Sequence, residues 1–253
     1  MFFKNKNKAK AFPKSLFYDS DIGINKADWF EVFSACLGKA MANQNACADL
    51  VVKGRNWNVD FSRKIISFGN DDFPVQFIGS ESSSSNTWLW GWENINGFAD
   101  DILEVAHSAK AKGLEWKLEP LTMSEFDITD IFNGHTLSIV ATSIYDDNIC
   151  YYRGPHGGGA ILVAVYDLPQ EVFAPVDSPT FMRITMESIQ QYKVNQEIFV
   201  RSFLYQNHTP YDFKDGMIVA HFEQEQDMEI HFEDVNGVKR ISNMRALIAP
   251  PTE

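Results

Sequence analysis

Asn86-Thr87-Trp88-Leu89-Trp90-Gly91-Trp92-Glu93-Asn94 sets three indoles two residues apart. In an extended strand that spacing puts Trp88, Trp90 and Trp92 on one face, with Leu89, Gly91 and Glu93 on the other. Each indole can bury on the order of 150–250 Å², so the row either anchors a core or offers a flat aromatic platform to sugars, bases or a partner. Three exposed indoles would form an apolar patch of a kind soluble monomers seldom carry, which favours the core. Because both faces of the strand are mostly apolar, it is predicted to lie inside a sheet covered on both sides. The helices predicted near Asp28 and from Phe98 have the apolar stripes to cover it.

Working outward, Trp29, Phe33, Cys36, Leu37 and Ala40 recur at helical steps behind Asp28, a suitable N-cap, and predict a helix over 28–48. Three strand-like runs follow, 57–61 continuing into 64–68, then 73–79, then 87–93, with turn signals at Gly69-Asn70-Asp71-Asp72 and at Ser82 to Asn86. They read as an antiparallel meander. A helix over 98–112 stopping at Gly113, a short run over 114–118, and a second helix over 134–145 come next. Tyr151 to Gly159 reads as a loop leading into a buried strand over 160–166.

Pro169, Pro175 and Pro179 punctuate a linker. Beyond it, 181–186 alternates weakly, Asn195 suits the cap of a helix to about Gln206, and strands are predicted over 217–222, 228–232 and 238–244. Asn236-Gly237 is the strongest hairpin signal in the chain. Both halves thus read as a helix followed by a meander. The fold class is α+β, with two helix-on-antiparallel-sheet units over 27–168 and 177–247 and a partly ordered lead-in over 1–26.

The helix ahead of Trp57, Phe77-Ile78-Gly79-Ser80, the triple-Trp stretch through Glu93-Asn94, and Tyr151-Tyr152-Arg153 together resemble an uncharacterised bacterial family, a domain of unknown function. The resemblance spans roughly residues 28–168. Glu93 stands where such families have alanine before the asparagine. The resemblance implies a domain and no activity.

Composition narrows the function classes. With 253 residues, 45% of them hydrophobic, the chain can build a core without disulfides or metal. Its three cysteines, Cys36, Cys47 and Cys150, lack metal or disulfide spacing and read as core thiols in a reducing compartment. A net charge of −12 argues against nucleic acid, whose binding rests on neutralised phosphates. No stretch approaches the roughly 20 apolar residues of a membrane span, and no apolar run of about 7–15 follows the lysine-rich N-terminus as in a signal peptide. The expected location is the cytoplasm.

Catalytic motifs are scarce. Pro155-His156-Gly157-Gly158-Gly159 is similar to the oxyanion-hole loop of some esterases, but no G-x-S-x-G nucleophile elbow accompanies it. P-loop and dinucleotide fingerprints are also missing, so no cofactor is expected. Arg153 and His156 remain as anion-binding candidates, with Trp92 and Asn94 at the end of the Trp strand as ligand-binding candidates. His221 and His231, on neighbouring predicted strands among Glu223, Glu229 and Glu233, could meet at a metal if the register allowed; a solvated acidic edge is the plainer reading. Asp71-Asp72, Asp100-Asp101 and Asp146-Asp147 fall at turns or helix ends, where acids need no catalytic role. The expected function is non-enzymatic binding of another protein, with an enzyme or small-molecule binder at Arg153 and His156 as the alternative. Open sheet edges leave room for a dimer.

Overall fold

The computed structural model describes residues 16–247 except 147, 224 and 225, so 1–15 of the lead-in and Asp147 of one acidic pair lie outside the described residues. One turn, α1 (Leu16–Asp19), precedes the long helix α2 (Trp29–Cys47). Asp28 caps α2 as expected, its carboxylate accepting from the N–H groups of Phe30 and Glu31. The helix then loosens into a π-turn, Ala48–Val52, and stops at Lys53, whose φ of 52° takes the left-handed region.

The run over 57–68 is two strands, not one. β1 (Trp57–Asp60) and β2 (Ile65–Phe68) pair as a hairpin, because the Asp60 carboxylate accepts from Ser62 N and Arg63 N and folds the chain back. The next strand, β3 (Asp71–Ser82), is long enough to pair with β2 through its first residues and with β4 (Thr87–Trp90) through its last. β4 is shorter than the sequence predicts. It ends at Trp90, and Gly91–Glu93 forms a 3-10 turn, so Trp92 does not share the strand face with Trp88 and Trp90.

After a 3-10 turn at Asp100–Ile102, α3 (Glu104–Trp116) starts later and ends later than expected, running through Gly113 to a stop at Lys117 (φ 57°). The residues over 114–116 are therefore helical. Gly113 is needed for packing, since a Cβ there would lie 2.6 Å from Leu121 Cβ. The short β5 (Glu125–Asp127) pairs with β4, and α4 (Gly134–Ser143) starts at a capping box of Asn133 and Thr136.

The segment read as a loop over 151–159 is instead β6 (Cys150–His156), joined by Gly157-Gly158 to β7 (Gly159–Val165). β7 pairs with β3 over the same residues that pair with β4, so β4 and β7 lie on opposite edges of β3. β6 is the outer strand, a position that tolerates Pro155. Gln44 of α2 covers part of its edge, donating Nε2–H to Tyr151 O (2.9 Å) and accepting from Tyr151 N (3.1 Å).

The proline-marked stretch packs against the rest of the protein. Val172, in a 3-10 turn at Gln170–Phe173, is buried, and Lys39 Nζ donates to the carbonyls of Phe173 and Ala174. The weakly alternating residues 181–186 belong to a helix, α5 (Ser178–Gln191), capped by Asp177. Next, α6 (Gln196–Gln206) lies so close to α2 that a Cβ on Gly38 would sit 2.5 Å from the Phe203 ring.

The second sheet has four strands where three are predicted: β8 (Tyr211–Lys214), β9 (Met217–Ala220), β10 (Met228–Val235) and β11 (Val238–Ala246), in the order β11-β10-β9-β8. Asn236-Gly237 turns the last hairpin as expected, and Asp215-Gly216 turns the first, each with both residues at positive φ. One apolar cluster runs from Trp29 through Trp90 and Phe203 to Ile230, so the two sequence units share a core. No helix among the described residues is long and apolar enough to cross a membrane.

Candidate functional site

Glu81 lies near the end of β3 and is almost fully buried, so its charge needs compensation. The carboxylate accepts from Gly134 N, the first N–H of α4, at 2.7 Å, and from Arg153 Nε and Nη2 of β6 at 2.8 and 2.7 Å. The helix terminus and the guanidinium therefore share one anion. Gly134 makes room for it, since a Cβ there would lie 2.6 Å from Glu81 Oε1. Beside this pair, His135 Nδ1 meets Tyr151 Oη at 2.9 Å. Desolvation, then the charge of Arg153, holds His135 below the usual histidine range, while burial pushes the Tyr151 phenol up. At neutral pH a neutral imidazole and a protonated phenol face each other, able to exchange hydrogen bonds with a polar group.

Behind Tyr151, a cleft of ≈ 350 Å³, open solvent at its mouth included, lies between α2, α4 and the start of β6. Lys39, Asn43, Gln44, Thr142, Asp146 and Tyr151 are among its lining residues. Asn43 Oδ1 accepts from no donor among the described residues.

Of the sequence candidates, only Arg153 belongs to this group. His156 lies three residues along β6, on the opposite face, where its Nδ1 accepts from Gly158 N (3.1 Å). Trp92 is buried with Lys110 Nζ 3.7 Å over its ring, and Asn94 bonds both backbone groups of Phe98. All four side chains are engaged within the protein, although Trp92 Nε1 is buried with no hydrogen-bond partner among the described residues. His221 and His231 are not brought together. The register sets His231 opposite Met217, whereas His221, beyond the end of β9, meets Asp227 (2.9 Å) and Asp212 (3.3 Å). No group of three or more His, Cys, Asp or Glu able to hold a metal occurs among the described residues.

The model of DUF6882, a family of unknown function, matches residues 31–168. The chain belongs to this family. The match agrees with the resemblance read over 28–168. No curated protein and no solved structure matches the chain. The DUF6882 segment ends just past β7, so it holds the first sheet and the Glu81–Arg153 group, and the second sheet lies outside it. Within it the sequence reading missed Glu81, His135 and Tyr151. An acid between Ser80 and Ser82 looks solvated, yet alternation sets Glu81 on the face of Gly79, the face against which Trp88 packs. That parity was the available signal.

Proposed function

We propose that this DUF6882 protein is a non-enzymatic cytoplasmic protein that binds another protein through the β10–β11 hairpin. The observation that supports this is the exposure of the hairpin's distal half. Residues 233–239 are exposed whichever way they point, with Val235 and Val238 among them, and β11 pairs with no strand other than β10 among the described residues. Gln196 Oε1 accepts from Ile241 N and covers part of that edge, while the distal residues stay open and suit recognition by strand addition or by docking of the tip. The reduced thiols of Cys36, Cys47 and Cys150 fit a reducing compartment.

Photo-crosslinking in the producing cell tests the reading. A crosslinker at Val238 should give a discrete heavier adduct, and one at Leu50, exposed in the turn after α2, should not. Absence of an adduct from both Val235 and Val238 would remove the basis for a binding hairpin. The second reading, an enzyme or small-molecule binder at Arg153, draws on the His135–Tyr151 hydrogen bond beside it.

A further inference from the structure

The last turns of α2 hold the start of β6 by three contacts. Asn43 O accepts from Cys150 Sγ at 3.6 Å, Gln44 takes both backbone groups of Tyr151, and Cys47, one helical turn beyond Asn43, lies in the same buried cluster as Cys150. Both cysteines are free, both are buried, and both belong to the cluster that also holds Val163 and Val165, whereas Cys36 lies in the cluster around Trp90. Cysteines serving only as small core hydrophobes have no need to meet. Cys47 is also the last residue of α2, followed by exposed Ala48, Asp49 and Leu50 of the π-turn, so slight opening there admits a molecule as small as a hydroperoxide.

We propose that Cys47 and Cys150 form a site of oxidative modification, a dithiol that a hydroperoxide closes to an intramolecular disulfide and a thiol reductant reopens. In the first step the Cys47 sulfur attacks the outer peroxide oxygen and the O–O bond breaks. The alkoxide leaves with the thiol proton as an alcohol, or as water from hydrogen peroxide, and Cys47 becomes a sulfenic acid. In the second step the Cys150 sulfur attacks the Cys47 sulfur, the S–O bond breaks, and hydroxide leaves with the Cys150 proton as water. Two electrons pass from the two thiols to one peroxide.

The roles follow from position. Cys47 ends α2 beside exposed Ala48, Asp49 and Leu50, while Cys150 gives its thiol proton to Asn43 O deeper in, so Cys47 meets an oxidant first. The neighbouring Cys150 thiol holds Cys47 below its ordinary value, in the same sense. The new bond would tie α2 to β6 beside Gln44 and Tyr151, so oxidation would be felt at the Tyr151–His135 hydrogen bond.

The test uses the reduced full chain, one equivalent of hydrogen peroxide, an alkylating agent and non-reducing peptide mapping. The expected product is a monomer whose Cys47 and Cys150 peptides are linked with the loss of two hydrogens, Cys36 remaining alkylated. Closing so long a loop should raise the melting temperature by several degrees, reversibly with dithiothreitol. Cys150→Ser should stop at a sulfenic acid on Cys47 that dimedone traps, and Cys47→Ser should give neither product. Cys36 oxidised first, a link between chains, or Cys47 and Cys150 both alkylated after peroxide would overturn the proposal. Should Cys150→Ser fail to fold, the wild-type peptide map decides the matter.

Discussion

The two sheets of this protein are both antiparallel, and they differ in how many faces they bury. In the first, Leu162 and Ala164 of β7 join Trp88, Trp90 and Ile78 in one cluster, while Val163 and Val165 join Val75, Phe77 and Phe68 in another. In the second, Ile218 and Ala220 of β9 are buried and their neighbours Met217 and Val219 only partly so. A sheet covered twice has to spend its side chains on packing and on satisfying what it buries; a sheet covered once keeps a face and its edges for other use. This is why the proposed contact surface falls on β10 and β11 although the conspicuous residues lie in the first sheet.

The largest expected effect is at Trp90, fully buried, its ring 5.2 Å from that of Trp88 and its Nε1 donating to Pro120 O at 3.0 Å. Trp90→Ala should cost about 3–5 kcal/mol in a denaturant melt, the range for a large aromatic lost from a core. Acrylamide should quench the native indoles of this strand weakly. An unchanged midpoint with strong quenching would mean the first sheet is not doubly covered in solution, and the contrast with the second would fail.

Glu81→Gln sharpens the same contrast by taking the buried charge from between Gly134 and Arg153. The glutamine still reaches Gly134 N, and Arg153, about one-third exposed, can turn to water. The expected loss is therefore about 1.5–3 kcal/mol, the range for hydrogen bonds to charged groups. A loss below about 0.5 kcal/mol, the usual level for a surface change, would show that the carboxylate is solvated.

Much of the first sheet is legible in sequence because its signals are local. Asp28 and Asn195 cap helices where expected, and the uninterrupted apolar run of β7 reads as a buried strand. The errors arise where tertiary packing decides. Gly113 looks like a helix stop and is a contact point for Leu121, while Tyr151 to His156 looks like a loop because its alternation is broken by Gly154 and Pro155. β8 escaped although Asp215-Gly216 marks its turn as plainly as Asn236-Gly237 marks the later one. The candidate site is the least legible part. Glu81 and Arg153 stand 72 residues apart, and only the pairing of β3 with β7 and of β7 with β6 brings them together.

The second sheet predicts the opposite response to mutation. Val235→Ser with Val238→Ser, at the exposed hairpin tip, should change stability by no more than about 0.5 kcal/mol while removing the adduct formed by a crosslinker at the neighbouring, exposed Lys239. A larger loss in a urea melt would mean that the tip is packed against something within the protein, and the surface would no longer be available for a partner.

The smallest effect, and the most specific to the open face, belongs to His221. Its imidazole stands between Asp227 and Asp212 near the outer end of the sheet, and hydrogen bonds to Asp227, then Asp212, raise its pKa above the usual histidine value. Because the folded pKa is raised above the unfolded one, the stability it contributes is fully present below the unfolded value of about 6.5. That contribution is lost as pH rises through the higher folded value. The ring is exposed, so solvent and salt screen the interaction and the slope is shallow. Proton NMR of the histidine ring resonances should place His221 above 6.5 in low salt, with the shift shrinking as salt is added. His221→Gln should flatten the decline in melting temperature between about pH 6 and 8, where such a group titrates. If His221 instead titrates at or below the ordinary value, the two carboxylates do not hold it in solution. The outer face of the second sheet would then be looser than the ordered polar surface its contacts describe.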